Sequence, residues 1–346
     1  MDISESQFIK QPKYLDLIGE EKIIQWLREN FDLQITKLIS IPKGEIGDNY
    51  CIIASDDTKY FLKIFSNSKL QIDSPHGLKL AYHLASQLYE LGIKNIPYPI
   101  KNSTGSIETQ CEDYTILVTN FIEGKHPEMT GPVVASAAKL VAALHQIDIK
   151  NIDASVGSFD PSYANKLREQ LQKLEESNLT KEKENLAALL LPHKVALLND
   201  VKKLNDLCDK IKSQEKKLVI THGDLISDNL LCNANDELFI IDWDNPQLAP
   251  AERDVWFFMN EHAELFLQIY KKYNSAANLD IDYISFYMYK RYLEDIVYWN
   301  EQILNEEVAS EQAAVNLKGI QICCLEPLET IEEKIKTISD LLILVK

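Results

Sequence analysis

The stretch from Val219 to Asp244 reads VITHGDLISDNLLCNANDELFIIDWD and concentrates the side chains best suited to chemistry. Two short apolar, β-like runs, 218–220 and 238–241, flank a polar turn that carries His222, Asp224 and Asn229. Asp242 and Asp244 follow the second run. These groups meet the needs of phosphoryl transfer from a magnesium nucleoside triphosphate. One carboxylate must orient the attacking hydroxyl and accept its proton, while an amide oxygen and a second carboxylate hold Mg²⁺ on the phosphates. Asp224 can be the base. Asn229 and Asp242 offer the hard oxygen ligands that Mg²⁺ takes. A hairpin would bring the loop and Asp242 together. The alternative is a polar hairpin with chance acids.

The same residues resemble the catalytic core of the aminoglycoside phosphotransferase family, relatives of the protein kinases. The H-G-D-x-x-x-x-N loop stands as His222-Gly223-Asp224 and Asn229, and the I-D-W element as Ile241-Asp242-Trp243. They take the place of the kinase H-R-D and D-F-G motifs. The run D-W-D-x-P-x-x-A-P-x-E-R-D, Asp242 to Asp254, is most similar to the spectinomycin phosphotransferase branch. The resemblance implies a bilobal, protein-kinase-like α+β fold, with a small β-rich N-terminal lobe and a larger helical C-terminal lobe. It implies ATP or GTP as phosphoryl donor, Mg²⁺ as cofactor, and a hydroxyl of an aminoglycoside or aminocyclitol as acceptor, spectinomycin being one. Asp224 is then the base, His222 a buttress of its loop, Asn229 and Asp242 the metal ligands, and Asp254 a structural acid.

Other elements must position these groups. A helix is expected over 19–30, then strands over 33–41, 50–54 and 60–65. The turn Lys43-Gly44-Glu45-Ile46-Gly47-Asp48-Asn49 joins the first two. The resemblance places it over the nucleotide phosphates, where Gly47 and Asn49 would let backbone N–H groups approach. Alone it reads as an ordinary hairpin turn. Strand alternation puts Phe61, Lys63 and Phe65 on one face. An inward lysine needs an anionic partner, and the kinase pattern makes that partner the α/β-phosphate. An edge-strand lysine facing solvent is the other reading.

The next helix, 77–91, should carry a glutamate for Lys63 and carries none in place. Between Lys63 and Glu90 the one acid is Asp73, and Lys79 and His83 stand where an acid is expected. That leaves Asp73 or a water to orient Lys63. A strand over 114–119 leads to Thr119-Asn120-Phe121-Ile122-Glu123-Gly124, which resembles the interlobe hinge. There Thr119, Phe121 and Ile122 would border the adenine. A helix over 130–147 follows, with His145 read as structural.

Residues 161–217 read as a charged helical insertion broken near Pro192, and further helices are expected over 255–273, 281–304 and 328–345. Within the middle one, Arg291, Glu294, Asp295 and Tyr298 can share a face. Substrate contact by Glu294, Asp295 and Tyr298, together with Asp244, is one reading. An intrahelical salt-bridge cluster is the other.

The chain has 346 residues and a formal charge of −17. That balance argues against a nucleic-acid partner and would favour a small cationic hydroxylated substrate if the acids gather at the site. Simple solubility accounts for it as well. The apolar runs are too short to span a bilayer, and residues 1–18 read as a loose, polar leader without the features of a signal peptide. The six cysteines form no C-x-x-C pair, which fits reduced thiols in a cytoplasm. The expected organisation is a nucleotide-binding lobe over 1–119, a hinge over 120–124 and a catalytic and substrate lobe over 125–346. Oligomeric state is not fixed by any of this. A metabolic kinase for choline, a thiosugar or an amino sugar is the runner-up reading, and a catalytically weak nucleotide-binding module the third.

Overall fold

A computed structural model describes residues 14–41, 47–67, 77–305 and 308–345. Lys43, Gly44, Glu45, Ile46 and Asp73 lie outside the described residues. The chain divides into two compact units, one built from 10–156 with 219–248 and the other from 157–218 with 249–346.

The first unit starts from a five-stranded antiparallel sheet of order β1-β2-β3-β5-β4. Its strands are β1 (Ile35–Ile41), β2 (Asp48–Ala54), β3 (Lys59–Ser66), β4 (Glu108–Cys111) and β5 (Tyr114–Asn120). Helices α1 (Glu20–Phe31) and α2 (Gly77–Glu90) accompany them. The alternation in β3 sorts its side chains onto two faces. Leu62 and Ile64 join Ile23 and Leu27 of α1, Tyr50, Ile52, Ile116 and Val118 in one core. Phe65 joins Tyr82 of α2, Ile107 and Leu117 in a second. Lys63 stands opposite Asn49 on β2 and Leu117 on β5.

Three expectations are corrected in this unit. Residues 14–18 are not loose: Tyr14–Ile18 is a short helix, and Tyr14, Leu15 and Ile18 pack on the first core. The short strand β4 was not foreseen, because four residues carry too little pattern. The apolar runs around the turn from His222 to Asn229 do not pair with each other. β7 (Leu230–Cys232) forms the hairpin with β8 (Leu238–Ile240), and β6 (Val219–Thr221) pairs with the strand that begins at Gln247. The hairpin closes because Asn233 Oδ1 accepts from the backbone of Asn235 at 2.9 Å and Glu237 at 3.0 Å. Helix α3 (Gly131–Leu144) lies between hinge and β6 in sequence and ends at the buried His145.

The second unit is helical: α4 (Leu167–Lys173), α5 (Lys181–Leu190), α6 (Lys194–Lys212), α7 (Ala263–Tyr273), α8 (Ile281–Asn305), α9 (Ser310–Gly319) and α10 (Ile331–Leu344). The break at Pro192 is a 3₁₀ turn, Leu191–His193. The helix expected over 255–273 is interrupted. Glu252–Val255 and the turn Trp256–Phe258 precede α7, whose start is fixed by Asn260 Oδ1 accepting from the His262 N–H at 3.1 Å. Buried aromatic and aliphatic side chains line α8, among them Tyr283, Phe286, Tyr289, Leu293 and Ile296.

Gly47 has φ of +80°, and a Cβ there would lie 2.4 Å from the Ile64 carbonyl oxygen. Gly47→Ala therefore faces both an unfavourable backbone region and a backbone clash. We expect a loss of about 1–3 kcal/mol in denaturant unfolding, whereas an unchanged midpoint would contradict this turn geometry. A second prediction concerns Asp200 on α6, whose carboxyl is pushed up to about 6 by burial, against the opposing Lys203 ammonium 3.8 Å away. Its folded value lies above the unfolded one, so the native state binds more protons between pH ~4 and ~6. Stability contributed by this group is present below that window and lost as pH rises through it. Asp200→Asn should match wild type near pH 4 and exceed it by about 1–2 kcal/mol at pH 7 after solvent screening. Unfolding curves at both pH values check this.

Candidate active site

Every chemically suited residue of the central stretch lies in the first unit, together with Lys63. His222 shows how the loop is held. Its Nε2 lies 2.9 Å from the Ile241 carbonyl, and its Nδ1 3.3 Å from the Asp224 N–H. A neutral ring with the proton on Nε2 satisfies both contacts at once, a tautomer inferred from the partners. The ring also meets Trp243 edge-on, with centroids 4.9 Å apart. His222 thus joins the Asp224 loop to the strand end that bears Asp242. Its position is that of a buttress, since it is only 2% exposed.

Asn229 makes the second join. Its side-chain nitrogen donates to Asp224 Oδ2 at 2.9 Å and to the Asp224 carbonyl at 2.8 Å. Its own carbonyl accepts from the Ile241 N–H at 2.9 Å. With the nitrogen committed to Asp224, the amide has its oxygen left for a hard cation. Asp242 follows at the end of β8 with φ of +62°. That left-handed backbone is uncommon for residues other than glycine, and aspartate is among those that tolerate it. Gly223, φ +86°, makes the matching turn before Asp224.

Lys63 is the buried cation of the site, 4% exposed. Its ammonium pairs with Asp244, and Asp242 Oδ1 lies 3.7 Å away. Burial works to lower the lysine pKa, but the charges of Asp244 and Asp242 outweigh it and the net direction is upward. Lys63 stays protonated. Asp242 is half open to solvent, yet its carboxyl is pushed up, first by desolvation and then by the neighbouring Asp244 charge, against the pull of Lys63. A divalent cation would relieve that crowding of carboxylates. The oxygen donors of Asp242 and Asn229 therefore fit Mg²⁺.

The residues expected around a nucleotide are placed as follows. Gly47 enters β2, and Asn49 faces Lys63 across the β2–β3 pairing. Thr119 is buried, and Phe121 and Ile122 are half-buried after β5. The Tyr98 N–H donates to Asn120 Oδ1 at 2.7 Å. Just beyond, reciprocal backbone bonds between Lys125 and Cys232, both 2.9 Å, clamp this segment to the β7–β8 hairpin. Gly124 permits the approach, since a Cβ there would lie 2.7 Å from the Cys232 oxygen.

The residues expected at a substrate have other partners. Asp244 is engaged by Lys63 and by the Tyr82 hydroxyl at 3.1 Å. In the second unit Glu294 pairs with Lys290, and Asp295 accepts from Arg291 Nε at 2.7 Å. Those are the i,i+4 bridges of the alternative reading. Tyr298 is 39% exposed. Sequence reasoning missed Tyr82 and Asn95. Asn95 holds β8 from outside, donating to the Leu238 carbonyl and accepting from the Ile240 N–H, each at 2.9 Å. The signal for Tyr82 was available: it is a hydroxyl-bearing residue on the apolar face of a helix that lacks the expected acid.

A sequence model described as the phosphotransferase enzyme family matches residues 37–283. Among curated proteins none matches significantly. Among solved structures, a spectinomycin phosphotransferase in complex with ADP and spectinomycin is similar at 21% identity and a TM-score of 0.73, over 87% of this chain and 93% of that one. An amicoumacin kinase in complex with AMP-PNP, Ca²⁺ and its substrate is similar at 13% identity and a TM-score of 0.58, over 88% and 93%. A choline kinase from Streptococcus pneumoniae is similar at 15% identity and a TM-score of 0.54, over 87% and 98%. The fold is thus the kinase-like α+β architecture that the sequence led us to expect. With the family match covering well over half of its length, the chain belongs to the phosphotransferase enzyme family and is a phosphotransferase.

Proposed function

We propose that this protein transfers the γ-phosphoryl group of ATP or GTP to a hydroxyl of a small aminocyclitol or aminoglycoside, spectinomycin being the first to try. The observation that carries the kinase reading is the stitched loop: Asp224, Asn229, Asp242 and Lys63 belong to one compact unit and are joined by short contacts. Asp224 orients the acceptor hydroxyl and takes its proton. Asn229, hydrogen-bonded to that carboxylate, keeps it facing one way. Lys63 binds the α/β-phosphates, and Asn229 and Asp242 would hold Mg²⁺. When bound, the ion neutralises charge on the β- and γ-phosphates. Gly47 and Asn49 border the phosphates, and Thr119, Phe121 and Ile122 the adenine. In this reading residues 1–119 form the nucleotide-binding lobe and 125–346 the catalytic and substrate lobe.

The acceptor is supported by the likeness to spectinomycin phosphotransferase, whose chain is matched over 93% of its length. Glu294, Asp295 and Tyr298 remain the proposed acceptor contacts of the second unit. Their salt bridges would have to open or be shared with an ammonium group of the ligand. A reducing cytoplasm is the proposed compartment. The six cysteines are all free, and among the described residues no helix is long and apolar enough to cross a membrane.

Transfer of label from ATP to a panel of aminocyclitols, aminoglycosides, choline and neutral alcohols tests the acceptor, alongside protection of a susceptible bacterium from spectinomycin. Robust transfer to choline or a neutral metabolite, with none to any aminocyclitol, would overturn the acceptor reading and leave a metabolic kinase. Asp224→Asn should cut kcat by roughly 10²-fold or more while MgATP affinity stays within a few-fold. Near-normal turnover in this variant would remove Asp224 from the role of base. Asn229→Ala and Asp242→Ala should each raise the Mg²⁺ concentration needed for half-maximal activity and weaken MgATP binding. Calorimetry that finds both unchanged would sink the ligand assignment.

A further inference from the structure

Helix α2 reads GLKLAYHLASQLYE, and its one carboxylate, Glu90, is exposed at its last position. Yet Lys63 is not without an anion. Asp244 binds its ammonium, and the other oxygen of the same carboxylate accepts from the Tyr82 hydroxyl at 3.1 Å. One carboxylate thus ties together strand β3 and helix α2. The Tyr82 ring is fixed by packing against Phe65, Ile107 and Leu117, so its hydroxyl is delivered from a rigid base. Asp244 is itself anchored. Trp243, beside it, donates from Nε1 to the Ile240 carbonyl at 3.0 Å and packs on His222. Tyr82 thus reaches Asp244 from α2, whereas its neighbour His83 reaches instead to Glu108 Oε2 at 3.4 Å.

We propose that Tyr82 is a positioning residue for the nucleotide-binding lysine and acts through Asp244. The helix contributes a neutral donor, and the carboxylate comes from the segment that also bears Asp242. Lys63 and the metal carboxylate are then set by one short stretch of chain, 242–244, whose geometry Tyr82 completes. Removing the hydroxyl leaves one oxygen of a poorly exposed carboxylate unsatisfied, and hydrogen bonds to charged groups are the stronger kind. Asp244 then turns, and Lys63 with it. This inference rests on the reading of Lys63 as the residue that holds the nucleotide phosphates.

The test is a double-variant cycle on the full chain, read with MgATP and any acceptor that the panel identifies, and by calorimetry with MgATP alone. Tyr82→Phe keeps the ring and its packing. It should weaken MgATP binding and raise the MgATP KM by about tenfold, with the acceptor KM unmoved. Asp244→Asn keeps the shape but removes the charge that pairs with Lys63. In that background Tyr82→Phe should add less than about a twofold further loss, because its route to the lysine is gone. Independent, multiplicative losses would overturn the inference, as would wild-type MgATP binding in Tyr82→Phe. Lys63→Met separates the two levels. If that variant binds MgATP as wild type does, the nucleotide reading of Lys63 fails and the inference falls with it. If it loses binding while Tyr82→Phe does not, the inference alone fails.

Discussion

The arrangement of the first unit depends on a buried ammonium. An unpaired charge in an apolar setting is costly, and Lys63 lies on a face it shares with Phe65, Leu117 and Tyr82. The chain answers with two carboxylates from the far end of the unit, Asp242 and Asp244. That single requirement draws the segment after β8 onto the five-stranded sheet. Residues 181 positions apart in sequence become direct partners. The ion pair that keeps the lysine charged also brings the cation proposed for the phosphates beside the carboxylate proposed for the metal.

A second set of contacts holds Asp224. Asp224 is not placed by its own packing. It is placed by His222, which spans its N–H and the Ile241 carbonyl, and by Asn229, which holds its carboxylate and receives the Ile241 N–H. Backbone in the left-handed region at Gly223 and Asp242 sets the turn at either end of this lattice. Strained residues at functional sites persist when their surroundings over-determine them. Here the surroundings include an imidazole, an amide, an indole and the backbone groups of Asp224, Asn229 and Ile241.

The gathering of near neighbours in sequence was legible in advance. The intervals between His222, Asp224, Asn229 and Asp242 are short, so a loop followed by a strand end is enough to gather them. Lys63 was legible through strand alternation and the order of elements. What failed were partnerships over long separations. Nothing in 218–241 says that β6 pairs beyond Asp244 instead of with β8, because a three-residue strand carries no register of its own. The partner of Lys63 was sought on α2, while the structure supplies Asp244, with Tyr82 as its support. In the second unit the helix Ser310–Gly319 and the π-helical turn Ile320–Leu325 were also missed. Gly319 there fits against Trp299, a Cβ being 3.1 Å from its ring, and that fit is visible only once both helices are placed.

The acidic balance of the chain bears differently on function once pairing is known. A net charge of −17 suggests carboxylates waiting for a cationic ligand. Several of these acids already serve the fold. Glu252 is fully buried, held by Lys216 at 2.7 Å and by the Asp280 N–H at 2.8 Å. Glu294 and Asp295 have their i,i+4 cations, and Asp244 has Lys63. Glu294 and Asp295 are half-buried in their i,i+4 pairs, and pairs of that spacing contribute only about 0.3–0.5 kcal/mol on a helix surface. The pairs of Glu252 with Lys216 and of Asp244 with Lys63 weigh more, because each has one deeply buried member, Glu252 in the first and Lys63 in the second, and breaking the pair would strand that charge. The distinction divides the acids by burial: Glu294 and Asp295 keep partly exposed partners on one helix, while Asp244 secures the buried Lys63 ammonium and Glu252 is itself fully buried.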